Sequence, residues 1–218
     1  MVLPRIYSLG DYSERLRGVS LVVGEGLCSN IYVIGREAAV VVDTGVGNRV
    51  NSVWPQLEEL GVPPNKVKGV VLTHAHHDHA MGAFIILEKA DPRVFVHTFD
   101  TKYIASRIDP QLVKVEDGDI IETELWPLKV IWTPGHTGGS ICLYNEDEKI
   151  LFSGDTVFPD GYFGSFDGDT GSLRAIIESL RKLSEMDVEV ILPGHGSPVF
   201  NDADDHIRRA YHNASLLA

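Results

Sequence analysis

The chain has 218 residues, 44% of them hydrophobic, which suits one domain over residues 1–218 that buries a core without disulfide or structural-metal staples. Its 31 acidic and 19 basic residues leave a formal charge of -12, which argues against a nucleic-acid backbone as the main partner, because phosphate binding needs clustered Lys and Arg. Cys28 and Cys142 are too few for a disulfide framework or a thiolate site and read as buried thiols. The start, Met1-Val2-Leu3-Pro4-Arg5, has no apolar signal core, and no apolar run reaches membrane-spanning length; the expectation is a cytoplasmic protein with no membrane contact.

In chain order, Val19–Val23, Asn30–Ile34 and Ala38–Asp43 are short β-type runs separated by Gly-containing turns, the first two resembling a meander. After Asp43-Thr44-Gly45 the period changes. Val50, Val53, Trp54, Leu57 and Leu60 share a helical face that Gly61 and Pro63-Pro64 end. Val67–Thr73 is a continuous apolar strand of the kind buried on both faces. A helix is predicted from about Ala80 to Ala90, a strand at Arg93–His97 and a helix near Asp100–Ser106. Further β runs follow at Leu112–Glu116, Ile120–Glu122 and Leu128–Thr133. Ile141–Tyr144 and Lys149–Ser153 flank the polar turn Asn145-Glu146-Asp147-Glu148, a hairpin signal. Leu173, Ile176, Ile177, Leu180 and Leu183 form a helix face, Val188–Leu192 a strand, and Asp202 to Leu217 a last helix. Early strands followed by alternating strands and helices suit an α/β arrangement of two packed sheets with helices outside.

The chemistry concentrates in His74-Ala75-His76-His77-Asp78-His79. His74 and His76, two apart after a strand, project from one side of an extended segment. Asp78 and His79 lie at the start of the next helix, where the chain has turned and can address a second point nearby. One loop can thus serve two adjacent metals, and imidazole with carboxylate suits zinc, with iron or manganese as alternatives. Three more segments can complete the coordination. His136 lies in Thr133-Pro134-Gly135-His136-Thr137-Gly138-Gly139-Ser140, Asp155 in Phe152-Ser153-Gly154-Asp155-Thr156, and His195 in Leu192-Pro193-Gly194-His195-Gly196. Each follows a strand and sits beside Gly, where side chains can converge. His77 reads as a solvent-facing or supporting residue, His97 as structural, and His206 and His212 as surface or packing residues of the last helix.

These segments, with Asn30-Ile31-Tyr32-Val33-Ile34 and Val42-Asp43-Thr44-Gly45, resemble the metallo-β-lactamase superfamily over nearly the whole chain. The resemblance implies a four-layer αββα sandwich with its site at one edge between the sheets. It implies one metal on His74, His76 and His136, a second on Asp78, His79 and His195, and Asp155 bridging them. Asp43 would orient the site without ligating. Two divalent ions, zinc foremost, would acidify a shared water to attack an ester, thioester or lactone carbonyl. Asp78 would also orient the nucleophile or relay its proton. No Gly-x-Ser-x-Gly elbow supports a serine mechanism.

The hydroxyacylglutathione hydrolase-like branch is the nearest in character, through Gly154-Asp155-Thr156-Val157-Phe158 and Gly161. Two departures weigh on glutathione recognition: Ser165 stands near where that branch commonly carries a basic residue, and one helix follows His195 in place of a helical extension. Pro159-Asp160-Gly161-Tyr162-Phe163-Gly164 is the candidate substrate wall. Tyr162 could donate to an oxyanion, or Tyr162 and Phe163 could simply pack the loop. The rival readings are a phosphoester hydrolase, an iron-dependent persulfide dioxygenase and a non-catalytic metal module. A diiron oxygen reductase would usually have Glu at the place of His76 and needs a flavin domain. The expected partner is a small-molecule substrate, with a homodimer as the base-rate expectation.

Overall fold

The computed structural model describes residues 6–47 and 53–218. Seven strands form the first sheet in sequential order: β1 (Ile6–Ser8), β2 (Val19–Val22), β3 (Ile31–Ile34), β4 (Ala39–Val42), β5 (Val67–Val71), β6 (Arg93–His97) and β7 (Leu112–Val115). The pairs from β1 to β4 are antiparallel and those from β4 to β7 parallel. The second sheet runs β12-β11-β10-β9-β8, from β8 (Ile120–Ile121), β9 (Leu128–Trp132), β10 (Ile141–Asn145), β11 (Ile150–Gly154) and β12 (Val190–Pro193). Only β11 and β12 pair in parallel there.

Both sheets are covered on both faces, which is why the central strands read as unbroken apolar runs. In β3, Tyr32 and Ile34 enter the core between the sheets, while Ile31 and Val33 face the outer helices. The inter-sheet core joins Val40, Val42 and Phe95 to Leu128, Val130, Leu143, Phe152 and Leu192. Outside the first sheet lie α1 (Val53–Glu59), α2 (His77–Leu87) and α3 (Ala105–Ile108), through Trp54, Leu57, Ala83, Ile86 and Ile108. Outside the second lie α4 (Leu173–Ser184) and α5 (Ala203–Ser215), through Ile176, Leu180, Leu183, Ile207 and Ala210. Each fully buried Leu or Ile among these contributes roughly 1.5–3 kcal/mol relative to an exposed one. The αββα order of layers is therefore the one expected.

The differences from the sequence reading are local. Strand β1 is only three residues long, too short to show a pattern, and exists through its pairing with β2. Helix α2 begins at His77, before its apolar stretch, because His76 is extended (ψ 150) and the ligand-type residues occupy the first turn. The segment expected to be one helix near Asp100–Ser106 is a 3-10 turn, Thr101–Tyr103, then the single-turn α3. Val50, assigned to the face of α1, lies outside the described residues. No helix among the described residues is long and apolar enough to cross a membrane.

Candidate metal centre

The C-terminal ends of β5, β9, β11 and β12 meet at one edge of the sandwich. From β5 the chain leaves through Thr73 and His74 into the first turn of α2, from β9 into the loop with His136, from β11 to Asp155 and from β12 to His195. The approach is close enough to require glycine: a Cβ on Gly194 would lie 2.3 Å from Asp155 Oδ1 and 2.7 Å from His79 Cε1.

Seven side chains converge there, six as two triads and the seventh, Asp155, between them. In the first, His76 Nδ1 is 3.0 Å from His74 Nε2 and 2.9 Å from His136 Nε2. In the second, His195 Nε2 is 3.2 Å from His79 Nε2 and 3.1 Å from Asp78 Oδ2. Asp155 lies between them. Its Oδ1 is 3.3 Å from His79 Nε2, and its Oδ2 is 3.6 Å from His195 Nε2 and 3.7 Å from His136 Nε2. Donor atoms of His74, His76 and His136, of Asp78, His79 and His195, and of His74, His79 and Asp155 each lie within 4.8 Å of one another.

Hydrogen bonds behind the triads fix which atom the rings of His74, His79 and His136 present. His79 Nδ1–H donates to Asp43 Oδ2 at 2.8 Å, leaving Nε2 toward the centre. Asp43 also accepts from the Thr73 amide (2.8 Å) and the Thr73 hydroxyl (2.8 Å). That hydroxyl, its proton directed at Asp43, accepts from His74 Nδ1–H at 3.1 Å. His136 Nδ1–H donates to the Ser165 carbonyl at 2.7 Å. Asp43 holds this post with a left-handed backbone (φ 54), an uncommon conformation for a non-glycine residue. Buried Asp100 ties the two loops of the first triad together. It accepts from the Ala75 amide (2.9 Å), the Thr137 hydroxyl (3.0 Å) and the Gly139 amide (3.0 Å).

The electrostatics follow from this crowding. Burial, reinforced by the neighbouring His79 and His136, holds His74 well below the usual imidazole range, and burial and His136 lower His76. Burial also pushes His79 down, but the carboxylates of Asp155 and Asp43 outweigh it and raise His79 well above that range. Asp78, despite a desolvation cost, is held at about 2 by the hydrogen bond from His195 and the nearby His79. Asp155 Oδ1 is fully buried and accepts no hydrogen bond from any described residue. An unpartnered buried carboxylate oxygen facing imidazole nitrogens whose far sides are already bonded is the donor set a divalent ion takes.

All seven predicted ligand positions thus come together, with Asp43 directly behind His79. Tyr162 and Phe163 do not join them. Tyr162 is 70% exposed, and Phe163 pairs with Val157 and packs against the helix-facing cluster of the second sheet. Their loop is fastened to α5, where the Asp160 amide donates to His206 Nδ1 (2.7 Å) and Asn213 donates to the Gly161 carbonyl (3.0 Å). The aromatic ring facing the centre is Phe158, 6.4 Å from His195. His77 and His212 are exposed. His97 packs in a cluster with Phe99 and Trp132, the three rings each 5.4–5.6 Å from the others, and is not among the grouped donors. Asp100, Thr73 and the Ser165 carbonyl were missed from the sequence. Only the Asp100 carboxylate offered a signal, and it reads there as an ordinary turn residue.

Three cavities flank the centre. One of about 480 Å³ has His195 in its wall, one of about 770 Å³ has Asp78 and His77, and one of about 160 Å³ lies against His76, His136 and Asp100.

The family model for the metallo-beta-lactamase superfamily matches residues 24–195. The chain belongs to this superfamily. Among curated superfamily relatives, an atrochrysone carboxyl ACP thioesterase of Aspergillus fumigatus is 30% identical over 79% of this chain and 52% of its own length. A hydroxyacylglutathione hydrolase of a Synechococcus species is 33% identical over 67% of this chain and 55% of its own. The chain thus spans about half the length of these relatives. A metallo-beta-lactamase family protein of Thermus thermophilus superposes with a TM-score of 0.76 at 23% identity, covering 92% of this chain and 81% of that one, which supports the shared fold.

Proposed function

We propose that this chain is a binuclear metal-dependent hydrolase of ester-type bonds, with thioesters foremost among ester, thioester and lactone substrates. The observation that carries the reading is the Asp155 carboxylate, placed between two triads of donor atoms with one oxygen buried and unpartnered. The names of two relatives, a thioesterase and a hydroxyacylglutathione hydrolase, favour a thioester over a phosphoester. Zinc suits three imidazoles on one side and two imidazoles with a carboxylate on the other.

Two divalent ions in these triads would supply an acidified water as nucleophile and a positive centre for the carbonyl oxygen. The chain's own residues do the rest. His74, His76 and His136 present single ring nitrogens from rigid loops, so the first triad keeps its shape without cost at each turnover. Asp43, through His79 and Thr73, holds both triads in register. Asp78, half-buried with its Oδ2 bonded to His195, orients the attacking water and relays one of its protons to the departing thiolate or alkoxide, so that a carboxylic acid and a thiol or alcohol are the products. The partner is a small molecule, because the ligand cluster lies at the ends of short loops beside cavities of ligand size.

The test combines metal analysis with a panel of esters, thioesters, lactones and phosphodiesters on wild type and Asp78→Ala. The expectation is two ions per chain, thioester or ester turnover, and a loss on Asp78→Ala of about 10²–10⁴-fold in kcat, the usual range for a lost acid–base group. Phosphodiester turnover without ester turnover would replace this reading with that of a phosphoester hydrolase.

A further inference from the structure

The hydrolase reading leaves the substrate open, and the wall around the centre narrows it. The cavity of about 480 Å³ beside His195 falls within the roughly 300–1,000 Å³ typical of small-molecule sites. Its lining includes Tyr7, Leu9, Tyr12, Leu21, Val23 and Phe200, and among the described residues it contains no Asp, Glu, Lys or Arg. Tyr12 and Phe200 stack at 5.4 Å with their planes 8° apart, and Tyr7 meets Tyr12 edge-on at 6.2 Å. These rings form one continuous apolar wall. Tyr12, 55% exposed, stands at its lip, while Leu9 and Leu21 belong to the inter-sheet core at its floor. The wall runs up to His195, whose Nε2 is one of the donor atoms of the second triad.

The other openings onto the centre differ in kind. The one beside Asp78 carries Glu25 and His77, and the one beside His136 carries Asp100 and Asp169. A substrate whose carbonyl reaches the centre therefore meets one cavity without charged side chains, walled by aromatic and aliphatic groups, and two openings that carry carboxylates, Glu25 in one and Asp169 in the other. Desolvation favours an alkyl or aryl group in the first and penalises an anionic group in either of the others. Among the described residues, no Lys or Arg side chain in any of the three would hold a carboxylate such as that of glutathione.

We propose that the cavity beside His195 receives the acyl part of the substrate, which makes that substrate an ester or thioester of an uncharged, medium-length apolar acyl group. The inference rests on the hydrolase reading for the bond cleaved and on the cavity for the group bound. The leaving alcohol or thiol then departs on the polar side of the centre.

Two measurements on the metal-loaded full chain test the proposal. In the first, straight-chain primary alcohols from butanol to decanol compete with a fluorescent apolar probe. Each added methylene is expected to tighten Kd about fourfold until the cavity is full. Val23→Trp, which fills the cavity from a half-buried position, should flatten the series, and Phe200→Ala should extend it to longer chains. In the second, acetyl to decanoyl thioesters with one common leaving group are compared, and kcat/KM should rise in parallel with alcohol binding. A series without chain-length dependence, or a graded series that neither variant alters, overturns the proposal. Turnover that is equal for every acyl length overturns the acyl assignment while the hydrolase reading stands. Graded alcohol binding with no ester or thioester turnover overturns the hydrolase reading, and the acyl assignment with it.

Discussion

The two triads are built differently. In the first, His74 and His136 are buried, each ring is held from behind by Thr73 or the Ser165 carbonyl, and Asp100 joins the two loops that supply it. In the second, only His79 is anchored in this way, by Asp43. The side chains of Asp78 and His195 are 30% and 31% exposed, and each has the other as its nearest hydrogen-bond partner. One triad is a fixed socket, while the other is half open toward the apolar cavity. On the proposed reading the difference teaches where rigidity and access are each required: an ion that must stay would sit in the socket, and the side that would admit substrate is left with freedom to adjust.

Several variants would break or sharpen this contrast. Asp155→Asn should have the largest effect, because the carboxylate faces both triads. Metal content should fall for both ions, with a loss of affinity greater than the roughly 10–100-fold cost of removing an outer hydrogen-bond partner. Loss of a single ion, read by elemental analysis, would mean that Asp155 serves one triad alone. Asp43→Asn should weaken metal binding by about 10–100-fold, chiefly at the second triad through His79. A chelator titration resolved into two steps checks this, and in wild type the half-open triad should empty first.

Asp100→Ala reverses the bias. It strands three donors around a buried carboxylate site, which should cost about 3 kcal/mol in urea unfolding and loosen the first triad more than the second. Equal loss at both triads would remove Asp100's special place in the socket. Glu124→Gln is the smallest effect and serves as the distant control. The Glu124 carboxylate accepts from the amides of Arg36, Glu37 and Ala38, which hold it below its ordinary range. A folded value depressed in this way stabilises above the ordinary carboxyl range and is lost as pH falls through the lowered value. The variant should therefore unfold slightly more easily than wild type at neutral pH, converge with it in acid, and leave both metal steps unchanged.

Much of the architecture was legible because its strands are buried on two faces. Ala39–Val42 and Val67–Val71 could be read directly from apolar runs, with their ends displaced by a residue or two. Ile6–Ser8 was not legible, since three residues carry no period. In the site, the ligand-type residues stood out because His and Asp beside Gly at strand ends are chemically conspicuous. Their supports did not. Asp100 matters only through Ala75, Thr137 and Gly139, partners that the fold brings from distant segments. The Ser165 contribution is a backbone carbonyl, which no side-chain pattern announces. Tyr162 and Phe163 drew attention as an aromatic pair, but the left-handed turn at Asp160 (φ 61) and the bonds to α5 carry their loop away from the cavity. The wall of that cavity instead comes from β1, β2 and the Pro198–Phe200 segment, whose apolar residues look like ordinary packing in the sequence.

The partition of the donors has a consequence for the chain's synthesis. His74, His76, Asp78 and His79 leave the ribosome early and belong to the first sheet's side, whereas His136, Asp155 and His195 follow on the second sheet's side. A nascent chain that has emerged only through α3 offers four donors and neither complete triad. The first triad closes once His136 is out, and the second waits for His195 at the end of β12. On the proposed two-metal reading, neither triad can close on an ion before those late segments are out, and a bound pair would clasp the two sheets at the edge where the early and late halves of the polypeptide meet.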